Sequence, residues 1–565
     1  TEIYTLSLHD ALPILSGHQV TQGIDQLTLQ ARDEIRFHAI TQSRNTGSLK
    51  TGATQVTLDA DQVNVATATD FTVQLSGVAI DGNSLTITGG NRAAPQPLSA
   101  GGSLTLAADH ITVDGVVRAP FGQITLKSQD ITLTGNADLS VSGAGLSVPY
   151  GTTTEAGTNW QLNGVAVTAP PAKTVTFDAE GGELSVESGA KVDLSAGGNL
   201  LAWEFVPGPG GSSDIFHGTY ESGTFAVVPS VKGLGGVDAG VLAGSGLTSS
   251  VLDTSATRTI TFGEGGPVPA GTYTILPARY ALLAGGYLVR RTSTTTPLNF
   301  GDALTLATGA VRVGATVGST GGALSSAPAT FEVINREQAL RFSEIKTTTF
   351  DDLLNAKAAR QGVAPARRAV DAGTLNIAAQ KINLEGDLAF GRLSGGRGGE
   401  LNISSSKVQV GGALSDAQVA AKDTLLLNVA QLNRTGVDSL LVGGQRAKQA
   451  ADGSRLIDVK ASEVTLANDA STPLTLGDVI LTGTSKVAVQ TGAVLSAPES
   501  GNAVSSAAVK AENSTVQGDG ALVRVSSDTR VETRRIGTQN EVKTGDVSVG
   551  SGAVLKGGKI GRAHV

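Results

Sequence analysis

The amino-acid sequence predicts an all-β fold, a right-handed parallel β-helix (β-solenoid) that carries a Pro/Gly/aromatic-rich insertion and a short helical segment. Three observations point there: a composition of strand and turn formers, short strands of alternating polarity, and two successive units in fixed register. The 565 residues include 73 Gly, no Cys, 4% aromatic and 16% charged residues, against about 25% charged in an average globular domain. Low charge with abundant Val, Leu, Ile, Thr, Ser and Gly favours strands and tight turns over helices.

The register is clearest between Ser103 and Gly143. SLTLAADHITVDGVVRAPFG lies over QITLKSQDITLTGNADLSVSG, so that Leu104 and Leu106 fall on Ile124 and Leu126, Ile111 and Val113 on Ile131 and Leu133, and Gly115 on Gly135. Within each unit two apolar-x-apolar strands stand seven residues apart, a step repeated at Val56/Val63, Leu375/Ile382 and Leu401/Val408. Looser versions occur at Leu184/Val192 and around Val464, Val487 and Val494. Strict alternation marks a strand with one buried face, and stacked rungs bury such faces in one continuous core. Tight corners explain Gly115, Gly135, Gly189 and Gly483. At roughly 4.8 Å per rung, fifteen to twenty rungs would form a rod about 70–100 Å long. A β-sandwich or a string of small β-domains also has short, regularly spaced strands; the fixed register favours the solenoid.

The segments follow in order. Residues 1–14, TEIYTLSLHDALPI, read as the in-frame translation of a sequencing adapter, and 560–565, IGRAHV, as the opposite adapter. A signal peptide is the rival reading of the first segment, but Glu2, His9, Asp10 and the missing basic n-region oppose it. With no methionine in the sequence, 15–559 is expected to be an internal window of a longer protein. β-Helix rungs are expected over 15–201. Residues 202–291, with WEFVPGPGGSSDIF (Trp203 to Phe216) and LPARYALLAGGYLV (Leu276 to Val289), are expected to be an inserted loop-rich region, and 292–334 irregular β. A short helical insertion is expected over 335–370. Asn335 with Gln338 and Thr349 with Asp352 resemble helix starts, Leu353, Leu354 and Ala358 share a face, Lys357 and Arg360 suit a C-terminus, and Gly362 suits the stop. This segment either flanks the rod or binds a partner. Rungs resume over 371–559, interrupted by the glycine-rich loop Gly391 to Gly399.

Catalytic, metal and cofactor chemistry finds little purchase. Asp59 with Asp61, and Asp109 with Asp130 at nearly one rung, are the closest carboxylate pairs; solvated turn residues are the simpler reading of each. His18, His38, His110 and His217 lack ligand spacing, and His9 and His564 belong to the adapter-like ends. GGRGGELNI (Gly395 to Ile403) is a degraded match to a calcium-binding nonapeptide, with Glu400 for aspartate and Asn402 at the apolar position. Arg367 and Arg368 read as a solvated loop pair. No catalytic, cofactor-binding or metal residue is expected, and no cofactor. The net charge of −8 gives no basic footprint for nucleic acid, and no stretch approaches the ~20 apolar residues of a membrane span. The lack of cysteine fits export in an extended state, and fits a cytosolic protein equally.

At EFVPGPGGSSDIF and AGTYTILPARYALLAGGYLV the chain resembles the large exoproteins of the filamentous haemagglutinin family, within the region of unknown function of the outer-membrane-associated members. The resemblance extends over Gly101 to Val410. It implies two-partner secretion, in which an outer-membrane transporter engages an N-terminal domain that this sequence does not contain, and a surface location. It further implies a structural stalk and adhesin that binds a glycan or protein receptor on host or neighbouring cells, with solvent-facing rungs and loops such as Gly208 to Thr219 as the contact surface. The alternatives are a carbohydrate-active β-helical enzyme, which needs converging carboxylates beside a lysine or arginine, and the stalk of a toxin-delivery exoprotein.

Overall fold

A computed structural model describes the chain except residues 1–2, 9–13, 40–45, 79, 156, 163–164, 168, 209–213, 218–222, 231–257, 293–296, 320–326, 363–364, 450–454, 499–506, 511–519, 537–544 and 564–565. Its axis is a parallel β-helix with three strand faces. On the first, His18–Thr21, Thr46–Thr51, Asp70–Leu75, Ser103–Ala107 and Gln123–Lys127 stack in parallel and continue through 174–178, 374–378, Glu400–Ser404, Ser439–Val442 and Asp478–Gly483. The second runs from Ile3–Leu8 through Gln26–Ala31, Gln55–Ala60, Ser84–Gly89, His110–Val113 and Asp130–Leu133 to 183–186 and 381–384. The third holds short strands such as Gln62–Val65, Val116–Arg118, Asp138–Ser140 and Lys191–Asp193.

The expected register holds. Leu104 pairs with Ile124, Leu106 with Leu126, Ile111 with Ile131 and Val113 with Leu133. The step at Val56/Val63 turns a different corner, however: Val56 sits on the second face under Leu85 and Val63 on the third, so it does not stack on the Leu104/Ile111 step. Period-2 alternation produces the core directly. Leu104, Ile124, Val175, Leu375, Leu401, Leu440 and Val479 form one inward column, each fully buried, within a single apolar cluster reaching from Leu27 to Val525.

The corner glycines divide by cause. Gly189 adopts φ 91°, a conformation that Cβ-bearing residues avoid. Gly135 does not; a Cβ there would stand 2.9 Å from the Ser188 carbonyl oxygen, so close stacking of rungs requires it.

Among the described residues the rod has fewer levels than the expected fifteen to twenty. The second face counts eight strands, after which the five-stranded sheet of Thr424–Leu427, Lys407–Val410, Glu463–Leu466, Lys486–Val489 and Asp546–Val549 continues it. Thirteen levels at ~4.8 Å give about 60 Å. The missing length went into side excursions. The chain also steps back once: Thr424–Leu427 stacks beneath Lys407–Val410 rather than above it, tied down by Gln431 Nε2 donating to Asn383 Oδ1 at 2.7 Å.

The main excursion leaves through Asn199–Phe205 and returns through Ile345–Thr349, two strands paired antiparallel at its base. Between them Thr224–Val227, Tyr287–Arg291, Ala329–Asn335, Val311–Ser319, Arg258–Phe262 and Gly271–Thr274 form an antiparallel sheet in that order, with its own core of Phe225, Ile260, Val289, Phe331 and Val333. Residues on both sides of 291/292 share this sheet, and Arg291 itself pairs with Phe331. The segments on either side of that boundary therefore contribute strands to one ordered sheet.

Helix α1 (Arg336–Ala339) begins at an Asn335/Gln338 capping box, and α2 (Phe350–Gln361) at Thr349, ending at Gly362 with φ 64°. Leu353, Leu354 and Ala358 are buried, and the Trp160 ring meets Phe350 edge-on at 4.7 Å. This helix flanks the rod. Among the described residues two further α-helices occur outside 335–370: α3 (Asp416–Ala421) and α4 (Val429–Arg434). Among the described residues no helix is long and apolar enough to cross a membrane.

Candidate functional site

The outward side chains of the rod also form columns, because parallel in-register stacking places like on like. Thr28, Thr57, Thr86, Thr112, Thr132, Ser185 and Asn383 follow one another on the second face. On the first face Ser48, Thr72, Thr105, Thr125 and Thr176 lead into Asn376 and Asn402. There the column runs into a wall, since a four-stranded sheet beginning with Gly444–Gln449 and Arg455–Val459 packs over the outer side of the next rungs. Leu441, Ile457, Ile480 and Leu522 fill the space between the two layers. A groove of about 550 Å³ opens at this step, floored by Thr176, Asp178, Asn376 and Asn402 and walled by Gly444, Gln445 and Lys460, with Gln380, Ser404, Ser405 and Ser406 along its other side.

A buried ionic network anchors the covered part. Thr374, Glu400, Ser439, Asp478 and Ser526 are aligned by strand register at the edge of the first face, and all are buried. Arg367 meets Glu400 at 2.7 Å, with Arg455 at 3.6 Å and Arg446 at 4.0 Å. Arg446 also donates to Asn402 Oδ1 at 2.5 Å and to Ser439 Oγ at 2.5 Å. Arg524 grips Asp478 at 2.8 Å, and Ser439 donates to the same carboxylate. Burial pushes the Glu400 carboxyl up, but the guanidiniums of Arg367, Arg455 and Arg446 outweigh it and hold it well below the usual carboxylate range. Burial lowers Arg446 to about 10, against the pull of Glu400 and Asp478. A second knot lies nearby: Asp371 takes Arg397 at 2.9 Å and Arg368 at 3.6 Å. Lys173 donates to the carbonyls of Ala369 and Asp371, and burial brings it down to about 8.

Several residues singled out from sequence stand elsewhere than expected. Arg367 and Arg368 are not a solvated pair: Glu400 lies beside Arg367 once the rungs stack, and Arg368 pairs with Asp371 three residues on. Glu400 itself is one of that network's carboxylates, and Asn402 lies on the groove floor. Asp130 stacks on His110 rather than Asp109, with His110 Nδ1 at 3.2 Å from its carboxylate; Asp109 stands at the corner before that strand, where its carboxylate accepts from Asn83 N at 2.9 Å. Asp59 accepts from Gln30 at 2.8 Å and Asp61 from Asn91 at 3.4 Å, each on its neighbouring rung. His18 bonds Ser48 at 2.9 Å, His38 is buried, and the side chain of His217 is outside the described residues, as are His9 and His564. Most of Gly208 to Thr219 is too. Among the described residues no group of three or more His, Cys, Asp or Glu side chains could hold a metal ion. The groove lining has Asp178 as its carboxylate and Lys460 as its cation.

The sequence reading missed Arg446, Arg455, Arg524 and Asp478. For Asp478 a signal was present: Glu400, Ser439 and Asp478 each stand one place before an apolar-x-apolar strand and recur at an even 39-residue step, whereas the three arginines carry no such mark. The two strings around Trp203 and Leu276 converge in space. The Arg279 guanidinium lies over the Trp203 ring at 4.9 Å, with both residues buried, and Phe216 packs with Ala278, Tyr280 and Leu283 in one core.

Compared with protein-family models, curated proteins and solved structures, the chain finds no match.

Proposed function

We propose that this chain is a non-catalytic stalk and binding segment of a large secreted bacterial surface exoprotein of the filamentous haemagglutinin kind, serving attachment or aggregation. The observation that carries the reading is the unbroken core: 174–186 stacks directly on 374–384 in parallel register, although the whole insertion lies between them. A fold that resumes its axis after such an excursion is suited to spacing and display. Side excursions and polar columns then form a contact surface without disturbing the core. The resemblance at Trp203 to Phe216 and Leu276 to Val289 supplies the family, the export through an outer-membrane transporter and the surface location. The converging Trp203 and Arg279 support treating those strings as one structural unit. A groove whose described lining holds one carboxylate, Asp178, supports a binding rather than a catalytic role.

The test is direct. Antibody against the purified chain should label intact, unpermeabilised producing cells, and the purified chain should compete with their attachment or aggregation. Labelling only after permeabilisation, or attachment indifferent to the added chain, would overturn the proposal.

A further inference from the structure

We infer that the groove at Thr176, Asp178 and Gln445 binds a short, neutral oligosaccharide through a hydrogen-bond relay of fixed direction. The inference rests on the non-catalytic binding role proposed above and names the ligand class.

The direction of the relay follows from its buried end. An arginine has donors only, so Arg446 Nη1 obliges the Asn402 side-chain oxygen to face it, at 2.5 Å. Asn402 Nδ2 must then point the other way, and it donates to Asn376 Oδ1 at 2.7 Å. Asn376 Nδ2 in turn donates to Thr176 Oγ1 at 3.3 Å. Asn402 and Asn376 are buried, and Arg446 is itself held by Ser439 and Glu400, so none of these amides is free to flip. Thr176 is half-buried at the mouth of the chain. Its oxygen is occupied as an acceptor, which leaves its hydroxyl proton to donate outward.

Two residues along the same strand, Asp178 faces the same side, because Val175 and Phe177 point into the core. At ~3.3 Å rise per residue the fixed donor and this acceptor stand about 6.6 Å apart. A sugar hydroxyl both donates and accepts, so adjacent hydroxyls of one ring can satisfy both. The charges in the lining are already partnered: Asp178 with Lys127 at 3.8 Å, and Lys460 with Asp458 at 2.6 Å. A charged ligand would have to displace one of these pairs, whereas a neutral polyol meets amides and hydroxyls. The volume of about 550 Å³ falls inside the ~300–1,000 Å³ of small-ligand sites.

The experiment titrates the full chain by calorimetry with neutral trisaccharides (cellotriose, mannotriose, maltotriose) and with sialyllactose as the charged arm. Saturable binding of a neutral trisaccharide is expected. Thr176→Val keeps the shape and removes the donor, and should weaken binding about tenfold or more. Gln445→Ala in the wall should weaken it as well, and Thr105→Val, on the same column outside the groove, should leave it unchanged. No saturable binding to any neutral trisaccharide, binding of sialyllactose alone, or affinity indifferent to Thr176→Val would each overturn the inference. The same mixtures are assayed for new reducing ends. Their appearance would refute the non-catalytic reading while upholding the groove; absence of binding would refute the groove while leaving the stalk reading standing.

Discussion

Replacing Glu400 by Gln removes the anion at the centre of three arginines while keeping the shape of the side chain. Glu400 is 1% exposed and accepts from Thr374 Oγ1 at 3.1 Å besides its ion pairs. Removing one partner of a buried ion pair costs ~3–5 kcal/mol, because the other charge is left uncompensated. Here Arg455 and Arg446 add to the uncompensated charge, so we expect the upper part of that range. A solenoid couples each rung mainly to its neighbours, so the loss should be read locally. Amide exchange over 400–404 and 439–442 should accelerate by roughly a hundredfold or more, since ~1.4 kcal/mol is tenfold. The exchange of 103–107 should not change. The wild-type chain also carries a pH signature. Since the folded pKa of Glu400 lies below its unfolded value of about 4.3, its contribution is complete above that value and drains away as pH falls through the folded one. Glu400→Gln should lack that part of the acid loss. Acceleration below about fivefold, or an unchanged acid profile over these rungs, would refute the assignment of Glu400 as the network's structural anion.

Other outcomes follow from the same geometry. Trp160→Ala empties a site that is 1% exposed and loses the bond from Nε1 to the Tyr150 carbonyl; about 3–5 kcal/mol should be lost locally, exposing α2 to proteolysis while the far-ultraviolet β signal persists. Gly122→Val would put a Cβ 2.0 Å from the Gly102 carbonyl oxygen and wedge two rungs apart, lowering the thermal midpoint, whereas Gly52→Ala, with its nearest atom at 3.9 Å, should be neutral. The Lys173 amine, followed by NMR in lysine-labelled chain, should titrate near 8. Because that folded value lies below the unfolded one of about 10.4, stability near Lys173 should rise with pH between the two; a midpoint above 10 would contradict its burial.

The rod was legible because burial imposes period 2, and because the Ser103 to Gly143 units have no insertion to obscure their register. The helix at Phe350–Gln361 was legible for the same reason: its cap, buried face and glycine stop are all local. What escaped depends on partners distant in sequence. Arg367 looks solvated until the rung carrying Glu400 is stacked beside it. The antiparallel sheet of the insertion pairs Tyr287–Arg291 with strands on both sides in sequence, which no fixed repeat announces. Helix α3 had its signal, Ser415 capping Gln418, yet it spans six residues and buries none of them, so periodicity could not reveal it. Asp109 and Asp130 miss each other by one place: Asp130 opens its strand and stacks on His110, while Asp109 lies at the corner before that strand.

The chain leaves the rod at Asn199, completes an insertion and returns to stack on the rung it left. Ser185 and Asn383 are in-register neighbours across that gap, and the sequence has no cysteine to confuse a cross-link. Parallel neighbours ~4.8 Å apart suit the Cα spacing of about 4.4–6.8 Å that a disulfide needs. The double variant Ser185→Cys/Asn383→Cys should therefore oxidise to an internal disulfide, seen as faster migration without reductant, while Ser185→Cys/Ile382→Cys, offset by one residue, should not. Cross-linking in neither variant, or equally in both, would contradict the parallel β-helix.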